Sequence, residues 1–337
     1  MNEPRVKEIN YKGIKAFELS SGGYYAIAAP TIGCNVIRLR DNEKKMEILR
    51  YSEDTPISEL AHSPFLWGLQ PLYPQNRFED GVIKTSDSIY HLPINEGERN
   101  NHIHGFIHDR VFKVKETGVK DGKAFLMAEY EYDENDIFYN YLPLPFNLKI
   151  TAELSNAGLS YTMEFINKAD KVLPMSAAAH TAINAAFVDV GVQEDILLEL
   201  PVSERVIATD ERWLPTGEFS PLDDYDMLYK NGKMRPILRD INNNHYRASV
   251  TKLNGKDFHG CIITDTKSNK KICYETDEKF KFWVVWNQGG FKGYFCPEPL
   301  TAMLNAPNID LPRDKTGYYE VLPGETYTLT QRIFTVC

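Results

Sequence analysis

Two side chains of the sequence are suited to moving protons, and both have unusual neighbours. His180 follows a run of small residues, 176–179 (SAAA), which would leave open space in front of its imidazole. Glu298 lies between Pro297 and Pro299, whose rings fix φ and exclude a helix, so its carboxylate is held on a stiff backbone. A carboxylate can accept a proton near neutral pH, and an imidazolium can donate one. Taken singly, the two residues could equally be a hydrogen-bonded core histidine and an exposed loop glutamate.

The stretch from residue 77 to residue 108 offers further chemistry. His102 and His104 would share one face of a strand, and such a pair can supply two imidazoles to a metal ion, as in cupin sites. No nearby residue completes a ligand set, so we favour a site without a metal and predict no cofactor. Arg77 could be a fixed donor to a substrate oxygen, or it could form a surface ion pair with Glu79 or Asp80.

Composition and charge exclude several other functions. The 337 residues carry 38 basic and 47 acidic side chains, a net charge of −9, so the chain lacks the basic surface that nucleic-acid binding needs. It has no GxGxxG, GxxxxGK[ST] or GxSxG motif to support nucleotide binding or serine-hydrolase chemistry. No apolar run approaches the roughly 18 residues of a membrane helix, and no signal peptide is visible. Five scattered cysteines without a CxxC pair predict free thiols in a reducing cytoplasm.

The elements that position these residues are predicted to be strands. In residues 147–154 and 159–165 the apolar side chains fall on every second position, the period of a strand with one buried face. Residues 281–286 (KFWVVW) form a continuous apolar run, as expected of a strand covered on both faces. Asn-Gly, Asp-Gly and Pro-Gly turn signals separate such segments. We therefore predict an all-β fold, a large antiparallel β-sandwich forming one domain over residues 1–337.

Two stretches, residues 64–105 and 296–308, break the alternation of apolar and polar side chains and are too long for simple turns. Long irregular segments inside a compact domain are usually functional or disordered. Their aromatic and apolar content argues against disorder, so we expect both stretches to serve the function. Arg77 and His104 lie in the first of them, and Glu298 lies in the second.

Five motifs follow one another in an order and at separations typical of one protein family. They are Asn-Arg-Phe-x-Asp-Gly at 76–81, Asn-x-x-His-Gly at 101–105, the histidine at 180, Trp-Leu-Pro-Thr-Gly-Glu at 213–218 followed by Tyr-Asp-Met at 225–227, and Cys-x-Glu-Pro with Asn-Ala-x-Asn at 296–308. Each motif is weak alone. Together, from about residue 20 to the C-terminus, they resemble the aldose 1-epimerase (galactose mutarotase) family.

The resemblance implies both a fold and a reaction. The fold would be the galactose mutarotase-like supersandwich, and the protein an isomerase that interconverts the α and β anomers of a hexose by opening and reclosing the ring. Glu298 would be the general base, His180 the general acid, and His104 a third catalytic group that hydrogen-bonds the substrate. The implied substrate-binding residues are Asn76, Arg77, Asp226 and Trp286. Neither a metal nor another cofactor is implied.

The chain departs from the family in two places. Ile103 and Phe106 stand where Leu and a second Gly are common around the first motif histidine. Residues 181–184 (TAIN) replace a Pro-Tyr-Phe-Asn segment, so an aromatic side chain that would help to shape the sugar pocket is missing. These departures bear on the identity of the substrate more than on the reaction.

Three alternatives stay open. The first is a hexose-6-phosphate 1-epimerase, which would need an extra cation such as Arg99, Arg110 or Lys84 at the far end of the pocket. The second is a non-catalytic sugar-binding protein, since fold does not fix function. The third is a metal-dependent, cupin-like enzyme that uses His102 and His104. The expected partner is a small sugar, with neither nucleic acid nor membrane, and the expected state is a cytoplasmic monomer or homodimer.

Overall fold

The alternating segments of the sequence form antiparallel strands, and the predicted all-β fold is confirmed. The computed structural model describes residues 2–242 and 244–337. Residues 147–154 lie in the strand Phe146–Ser155, whose side chains alternate between buried and half-buried positions along its length. Residues 159–165 lie in the next strand, Gly158–Asn167, which pairs with the first in unbroken register. The alternation arises because one face of each strand packs against the core.

The strands of the described residues are, in chain order, β1 (Asn2–Tyr11), β2 (Ile14–Gly22), β3 (Tyr24–Ala29), β4 (Asn35–Asp41), β5 (Met46–Glu47), β6 (Leu69–Leu72), β7 (Arg77–Glu79), β8 (Val82–Lys84), β9 (Ile89–His91), β10 (Asn101–Ile103), β11 (Lys113–Lys120), β12 (Lys123–Tyr132), β13 (Phe146–Ser155), β14 (Gly158–Asn167), β15 (Leu173–Met175), β16 (Ala178–Thr181), β17 (Ile183–Asn184), β18 (Ile196–Glu199), β19 (Val202–Ala208), β20 (Pro215–Ser220), β21 (Asn244–Ala248), β22 (Thr251–Leu253), β23 (Lys256–Phe258), β24 (Gly260–Asp265), β25 (Lys271–Thr276), β26 (Phe282–Trp286), β27 (Tyr294–Leu300), β28 (Tyr319–Val321) and β29 (Thr326–Val336). The α-helices are α1 (Ile57–His62), α2 (Asp226–Lys230) and α3 (Arg313–Thr316).

Two sheets dominate the architecture. The larger one has the strand order β1-β2-β3-β4-β6-β16-β27-β26-β21-β19-β20, and the smaller one has the order β11-β12-β13-β14-β29-β25-β24-β18. Strands β1 to β3 of the larger sheet contact β11 to β13 of the smaller one. A single cluster of buried apolar residues takes members from both sheets. The two sheets therefore form a sandwich around a shared core, as predicted.

The central strands of the larger sheet, β6, β16, β27 and β26, are buried on both faces, and only one face belongs to the shared core. Val285 of β26 packs in the core cluster, whereas Val284 packs in a separate cluster on the outer face, which explains the continuous apolar run of this strand. On β16, the hydroxyl of Thr181 lies 2.8 Å from the hydroxyl of Tyr274 in the smaller sheet. Because successive strand side chains alternate, His180 faces the outer side.

The two irregular stretches of the sequence meet over this outer face. The backbone N–H of Asn305 donates to the carbonyl oxygen of Arg77 (3.0 Å), and the Asn305 side chain accepts from the backbone N–H of Glu79 (3.1 Å). The expectation that residues 296–308 are irregular throughout is corrected, because their first residues continue β27. The remainder covers the outer face together with residues 64–105.

Helices contribute little to the fold. The longest α-helix of the described residues, α1, has six residues. In the part of the chain that the structure describes, no helix has the length and apolar character needed to cross a membrane. The single domain over residues 1–337 stays a prediction.

All five cysteines are free thiols, as predicted. Cys34, Cys261, Cys273 and Cys296 are buried, and Cys337 is exposed. The cytoplasmic location that was inferred from these thiols stays a prediction.

Candidate active site

His180 and Glu298, far apart in the sequence, meet on neighbouring strands. Ala178 of β16 pairs with Leu300 of β27 in antiparallel register, so His180 stands opposite Glu298 two residues further along. The Nε2 atom of His180 lies 3.3 Å from Oε1 of Glu298. Both residues are buried, with 3% and 2% of their surface exposed. The register of the sheet therefore brings the predicted acid and base together.

The pair lies in a cavity of about 400 Å³ on the outer face of the larger sheet. This volume lies within the range of small-molecule sites. Six of the seven predicted site residues line the cavity: Asn76, Arg77, His104, His180, Trp286 and Glu298. The seventh, Asp226, does not.

Aromatic rings surround the imidazole of His180. The ring centroid of Phe65 lies 5.7 Å from that of His180 and 4.6 Å from that of His104. The His104 and Trp286 rings lie 5.3 and 6.0 Å from His180, and both meet it edge-on. These contacts hold the imidazole in one orientation. They also give the cavity an apolar wall that can pack against the C–H groups of a ligand.

The two buried groups have shifted pKa values. Burial raises the pKa of Glu298 to about 8, while the positive charge of Arg77 and a hydrogen bond from Asn76 act in the opposite direction. Burial lowers the pKa of His180 to about 3, and the Arg77 charge adds to that effect. Both shifts favour the uncharged forms, a protonated carboxyl group and a neutral imidazole. A carboxylate beside an imidazolium, the ion-pair form, holds the same total number of protons as this uncharged form.

A chain of hydrogen bonds leads from Arg77 to Glu298. Nε and Nη2 of Arg77 donate to the carboxylate of Glu96 at 2.9 to 3.1 Å, and Nη1 donates to Oδ1 of Asn76 at 3.2 Å. Nδ2 of Asn76 in turn donates to Oε2 of Glu298 at 3.3 Å. Arg77 is only 8% exposed. The guanidinium is thus held beside the carboxyl group of Glu298 by a fixed counter-charge.

The two carboxylates considered as surface partners of Arg77 bind a different arginine. Glu79 and Asp80 each lie 2.8 Å from the guanidinium of Arg212. The next residue, Trp213, has a φ of 56° and lines the cavity, with its ring centroid 5.0 Å from the Arg77 guanidinium. These ion pairs hold the chain around residue 213 against the segment that carries Arg77. They give the Trp-Leu-Pro-Thr-Gly-Glu motif a structural role.

A tight turn places His104 at the cavity. His104 and Gly105 both have left-handed backbone conformations, with φ of 65° and 62°. The backbone N–H of His104 donates to the carbonyl oxygen of Asn76 at 2.9 Å. A Cβ atom at position 105 would lie 2.2 Å from the carbonyl oxygen of Tyr73, so only glycine fits there. Burial lowers the pKa of His104 well below its usual value, so this imidazole is neutral.

His102 does not join His104 at the cavity. Its Nδ1 atom lies 2.8 Å from the carbonyl oxygen of Pro93, and its ring packs on Phe138 at 5.6 Å. Strand β10 ends at Ile103, so the turn at His104 breaks the alternation that would have put both imidazoles on one face. Among residues 2–242 and 244–337, no group of three His, Cys, Asp or Glu side chains could hold a metal ion.

The prediction that Asp226 binds the substrate is corrected. Asp226 begins α2, is 1% exposed and does not line the cavity. Both of its carboxylate oxygens accept from Nε of Arg205 (3.1 and 3.0 Å), and one accepts from the hydroxyl of Tyr246 (2.7 Å). These bonds lower the pKa of Asp226, against the effect of burial. Its role is to join α2 to β19 and β21.

Replacing Asp226 by Asn should therefore destabilise the fold without disabling the cavity. The change leaves Arg205 without its counter-charge, and we expect a loss of about 2 kcal/mol in the free energy of unfolding at pH 7. Because the folded-state pKa is lowered, this stabilisation is present above the unfolded pKa of about 3.9 and fades as the pH falls. Urea titrations of both proteins at pH 7 and near pH 3 should show the difference shrink. A variant of normal stability that no longer binds ligand would contradict this assignment.

Several cavity residues were not predicted from the sequence: Phe65, Asp240, Asn242 and Gln288. Strand β21 pairs with β26 in antiparallel register. The residues before β21 and those after β26 therefore lie at the same edge of the sheet, beside Trp286. Asp240, Asn242 and the Gln-Gly-Gly at 288–290 carry this signal, but it can be recognised only when the strand order is known.

Comparison with known proteins agrees with this fold. The aldose 1-epimerase family matches residues 15–333 of the chain. A galactose mutarotase-like protein from Clostridium acetobutylicum is 30% identical and superposes with a TM-score of 0.96 over 99% of both chains. A galactose 1-epimerase from Lactobacillus acidophilus NCFM, 17% identical, shares the fold with a TM-score of 0.71 over 99% of both chains. A probable aldose 1-epimerase from Arthroderma benhamiae is 24% identical over 268 residues, 73% of this chain. The match spans 59% of that relative's length, less than two thirds.

Fold and site together define an all-β protein with a buried histidine–glutamate pair in a cavity of small-molecule size. Since the family match extends over nearly the whole chain, the protein belongs to the aldose 1-epimerase family. The resemblance drawn from five sequence motifs is thereby confirmed.

Proposed function

We propose that the protein is an aldose 1-epimerase that interconverts the α and β anomers of an unphosphorylated aldose. The observation that carries the proposal is the 3.3 Å approach of His180 Nε2 to Glu298 Oε1 in a ligand-sized cavity. Anomer exchange needs one group to take a proton from the sugar and another to return one. A carboxyl group and an imidazole side by side supply both functions.

The reaction would begin at the anomeric hydroxyl. Glu298, as carboxylate, takes the proton from O1, the electron pair of that O–H bond forms the C1=O1 double bond, and the C1–O5 bond breaks. O5 leaves with the electron pair of the broken bond and takes a proton from His180. The open-chain aldehyde rotates about C1–C2, and the two groups exchange roles to close the ring on the other face of C1. No redox change occurs.

The pKa shifts fit this exchange of roles. Because burial favours the uncharged forms of both groups, the neutral pair and the ion pair differ only by one proton crossing between Nε2 and Oε1. Arg77 favours the carboxylate form of Glu298. Either His180 or Glu298 can therefore act as the acid, and the pair exchanges no proton with water.

Other cavity residues would bind and polarise the sugar. His104, neutral and held by the turn at Gly105, can hydrogen-bond the ring oxygen or a hydroxyl group as charge develops. Arg77 and Asn76 would hold the carboxyl group of Glu298 and contact nearby hydroxyls. Trp286 would pack against the C–H face of the ring.

The phosphorylated substrate is less well supported. None of Lys84, Arg99 and Arg110 lines the cavity in the described structure. Arg110 binds Asp136 and Asp109, and Arg99 lies 3.6 Å from Glu96. The cavity wall instead holds Asp240, whose negative charge would repel a phosphate. A neutral sugar therefore fits the charges of the wall better.

Acceleration of anomer exchange tests the proposal directly. Freshly dissolved α-glucose and α-galactose should reach equilibrium faster with the protein than without it, as followed by polarimetry at pH 7. The same assay with glucose 6-phosphate should show weaker acceleration. Binding of these sugars without acceleration of any of them would favour the non-catalytic alternative and contradict the proposal.

A further inference from the structure

A short helical turn, Pro64–Leu66, covers His180 on one side of the cavity. Its middle residue, Phe65, lines the cavity and packs its ring against the rings of His180 and His104. A hydrogen bond with the backbone of Phe65 raises the pKa of His180, against the effect of burial. Since this bond favours the protonated imidazole, an imidazole N–H donates it and the carbonyl oxygen of Phe65 accepts it.

This bond determines which nitrogen of His180 keeps its proton. Nε2 faces Glu298, so the nitrogen that bonds the backbone of Phe65 is Nδ1. In the proposed reaction Nε2 gains and loses a proton in every cycle, which requires that Nδ1 stay protonated throughout. Among residues 2–242 and 244–337 no side chain bonds Nδ1. The carbonyl oxygen of Phe65 is therefore the group that can hold the imidazole in the working tautomer.

The turn that presents this carbonyl group is held by Arg50, which does not line the cavity. Nη1 of Arg50 donates to the carbonyl oxygen of Leu66, the residue after Phe65, at 2.8 Å. The Arg50 guanidinium lies 3.8 Å from the ring centroid of Trp67 and 3.8 Å from that of Tyr294. Two rings this close cover opposite faces of the guanidinium. Stacking on both faces holds this planar donor in one orientation.

Arg50 is joined to two further parts of the site. The hydroxyl of Tyr294, which stacks on the guanidinium, donates to Oε1 of Gln288 at 2.5 Å, and Gln288 lines the cavity. The backbone N–H of Arg50 donates to the carbonyl oxygen of Ala182, two residues beyond His180, at 2.8 Å. Arg50 therefore contacts the segments on both sides of the imidazole while its own side chain stays outside the cavity.

We propose that Arg50 is a positioning residue for the acid–base pair and acts on His180 through the turn at Phe65. By binding the carbonyl oxygen of Leu66, Arg50 fixes the turn so that the preceding carbonyl group points to Nδ1 of His180. Nε2 then stays free to exchange a proton with Glu298 and the substrate. This inference rests on the proposed function, because it requires His180 to react through Nε2. Without the guanidinium, the turn can move and the imidazole can rotate or change its tautomer.

Arg50→Met tests this role, because it keeps a long side chain but removes the donor and the charge. For the aldose that the wild type turns over fastest, we expect kcat to fall about 10- to 100-fold, with KM changed less than about 3-fold. Nitrogen-15 NMR of labelled histidine reports the tautomer, and the spectrum of His180→Asn assigns the His180 signals. In the wild type Nδ1 should carry the proton. In Arg50→Met the signals should move towards a mixture of the two tautomers.

Arg38→Met is the matched control. The Arg38 guanidinium lies 4.2 Å from the ring centroid of Tyr51 and donates to Glu47 at 2.8 Å, and none of these three residues lines the cavity. This variant should keep the wild-type kcat and the wild-type signals of His180. Arg50→Lys keeps a donor and a charge but not the flat stacked group, so it should show a smaller loss of the same kind.

The outcomes separate this inference from the proposed function. Wild-type kcat and wild-type His180 signals in Arg50→Met, or in Arg50→Lys if only that variant folds, would overturn the role of Arg50 and leave the proposed function standing. Equal losses in Arg38→Met would do the same. A wild type that turns over no sugar would overturn the proposed function, whereas the His180 signals would still show whether Arg50 sets the tautomer.

Discussion

Glu298→Gln and His180→Asn should each lower kcat for anomer exchange by about 10²–10⁴-fold, the usual contribution of a positioned acid or base. Glutamine cannot accept the proton of the anomeric hydroxyl, and asparagine cannot deliver one to the ring oxygen. Both replacements are uncharged at a buried site, so the fold should be retained. Polarimetry of freshly dissolved α-glucose and α-galactose measures the rate, and circular dichroism verifies the fold.

Each variant has a buried counterpart outside the cavity. Glu320, 7% exposed, binds Arg313, and His245, 1% exposed, lies opposite Val284 on the outer face of the same sheet. Neither lines the cavity. Glu320→Gln and His245→Asn should therefore change stability but keep kcat within a few-fold of the wild type. Wild-type rates in both Glu298→Gln and His180→Asn would show that the proton-transfer roles are wrong.

The strands could be predicted from the sequence because their signal is local. The period of two in β13 and β14, and the continuous apolar run of β26, depend only on which faces are covered. The strand order cannot be read in this way. His180 meets Glu298 because β27 lies between β16 and β26. This strand order results from packing across the whole sheet.

The strand that carries Glu298 shows how local rules can mislead. The break in apolar alternation at residues 296–308 predicted an irregular segment, and proline, which cannot donate to a ladder, is rare inside a sheet. In the structure the two prolines that flank Glu298 lie within β27, opposite Val285 and Trp283 of β26. On its other side the ladder of β27 with β16 is reduced to a single pair. The two prolines therefore lie beside Glu298, where few ladder hydrogen bonds join β27 to β16.

The error at Asp226 has a similar cause. An acidic residue after a family motif suggested a sugar ligand, but the sequence does not show that Arg205 and Tyr246 lie within bonding distance. A buried carboxylate already bonded to a guanidinium and a hydroxyl has little left to offer a substrate. Asp240, which has no such partner among residues 2–242 and 244–337, lines the cavity instead.

Arg77→Met should lower kcat/KM at pH 7 by about 10-fold or more and move the pH profile of activity to higher pH. The positive charge of Arg77 lowers the pKa of Glu298 and that of His180. Removing this charge raises both pKa values. Because the pair works with one shared proton, activity should fall as the pH rises through the Glu298 pKa of about 8 and that proton is lost, and this falling limb should move upward in the variant. Initial rates from pH 5 to pH 10 measure this shift.

Arg99 provides the matched control for that experiment. Its guanidinium lies 3.7 Å from the ring centroid of Trp213, the same cavity residue that Arg77 faces, but Arg99 does not line the cavity. Arg99→Met should leave the pH limb in place even if it loosens Trp213. A loss of activity in Arg77→Met without a shift of the limb would mean that Arg77 supports the site only through its bonds to Asn76 and Glu96. A shift shared by both variants would mean that the electrostatic effect comes from the rim as a whole, because Arg77 would then have no special access to the carboxyl group of Glu298.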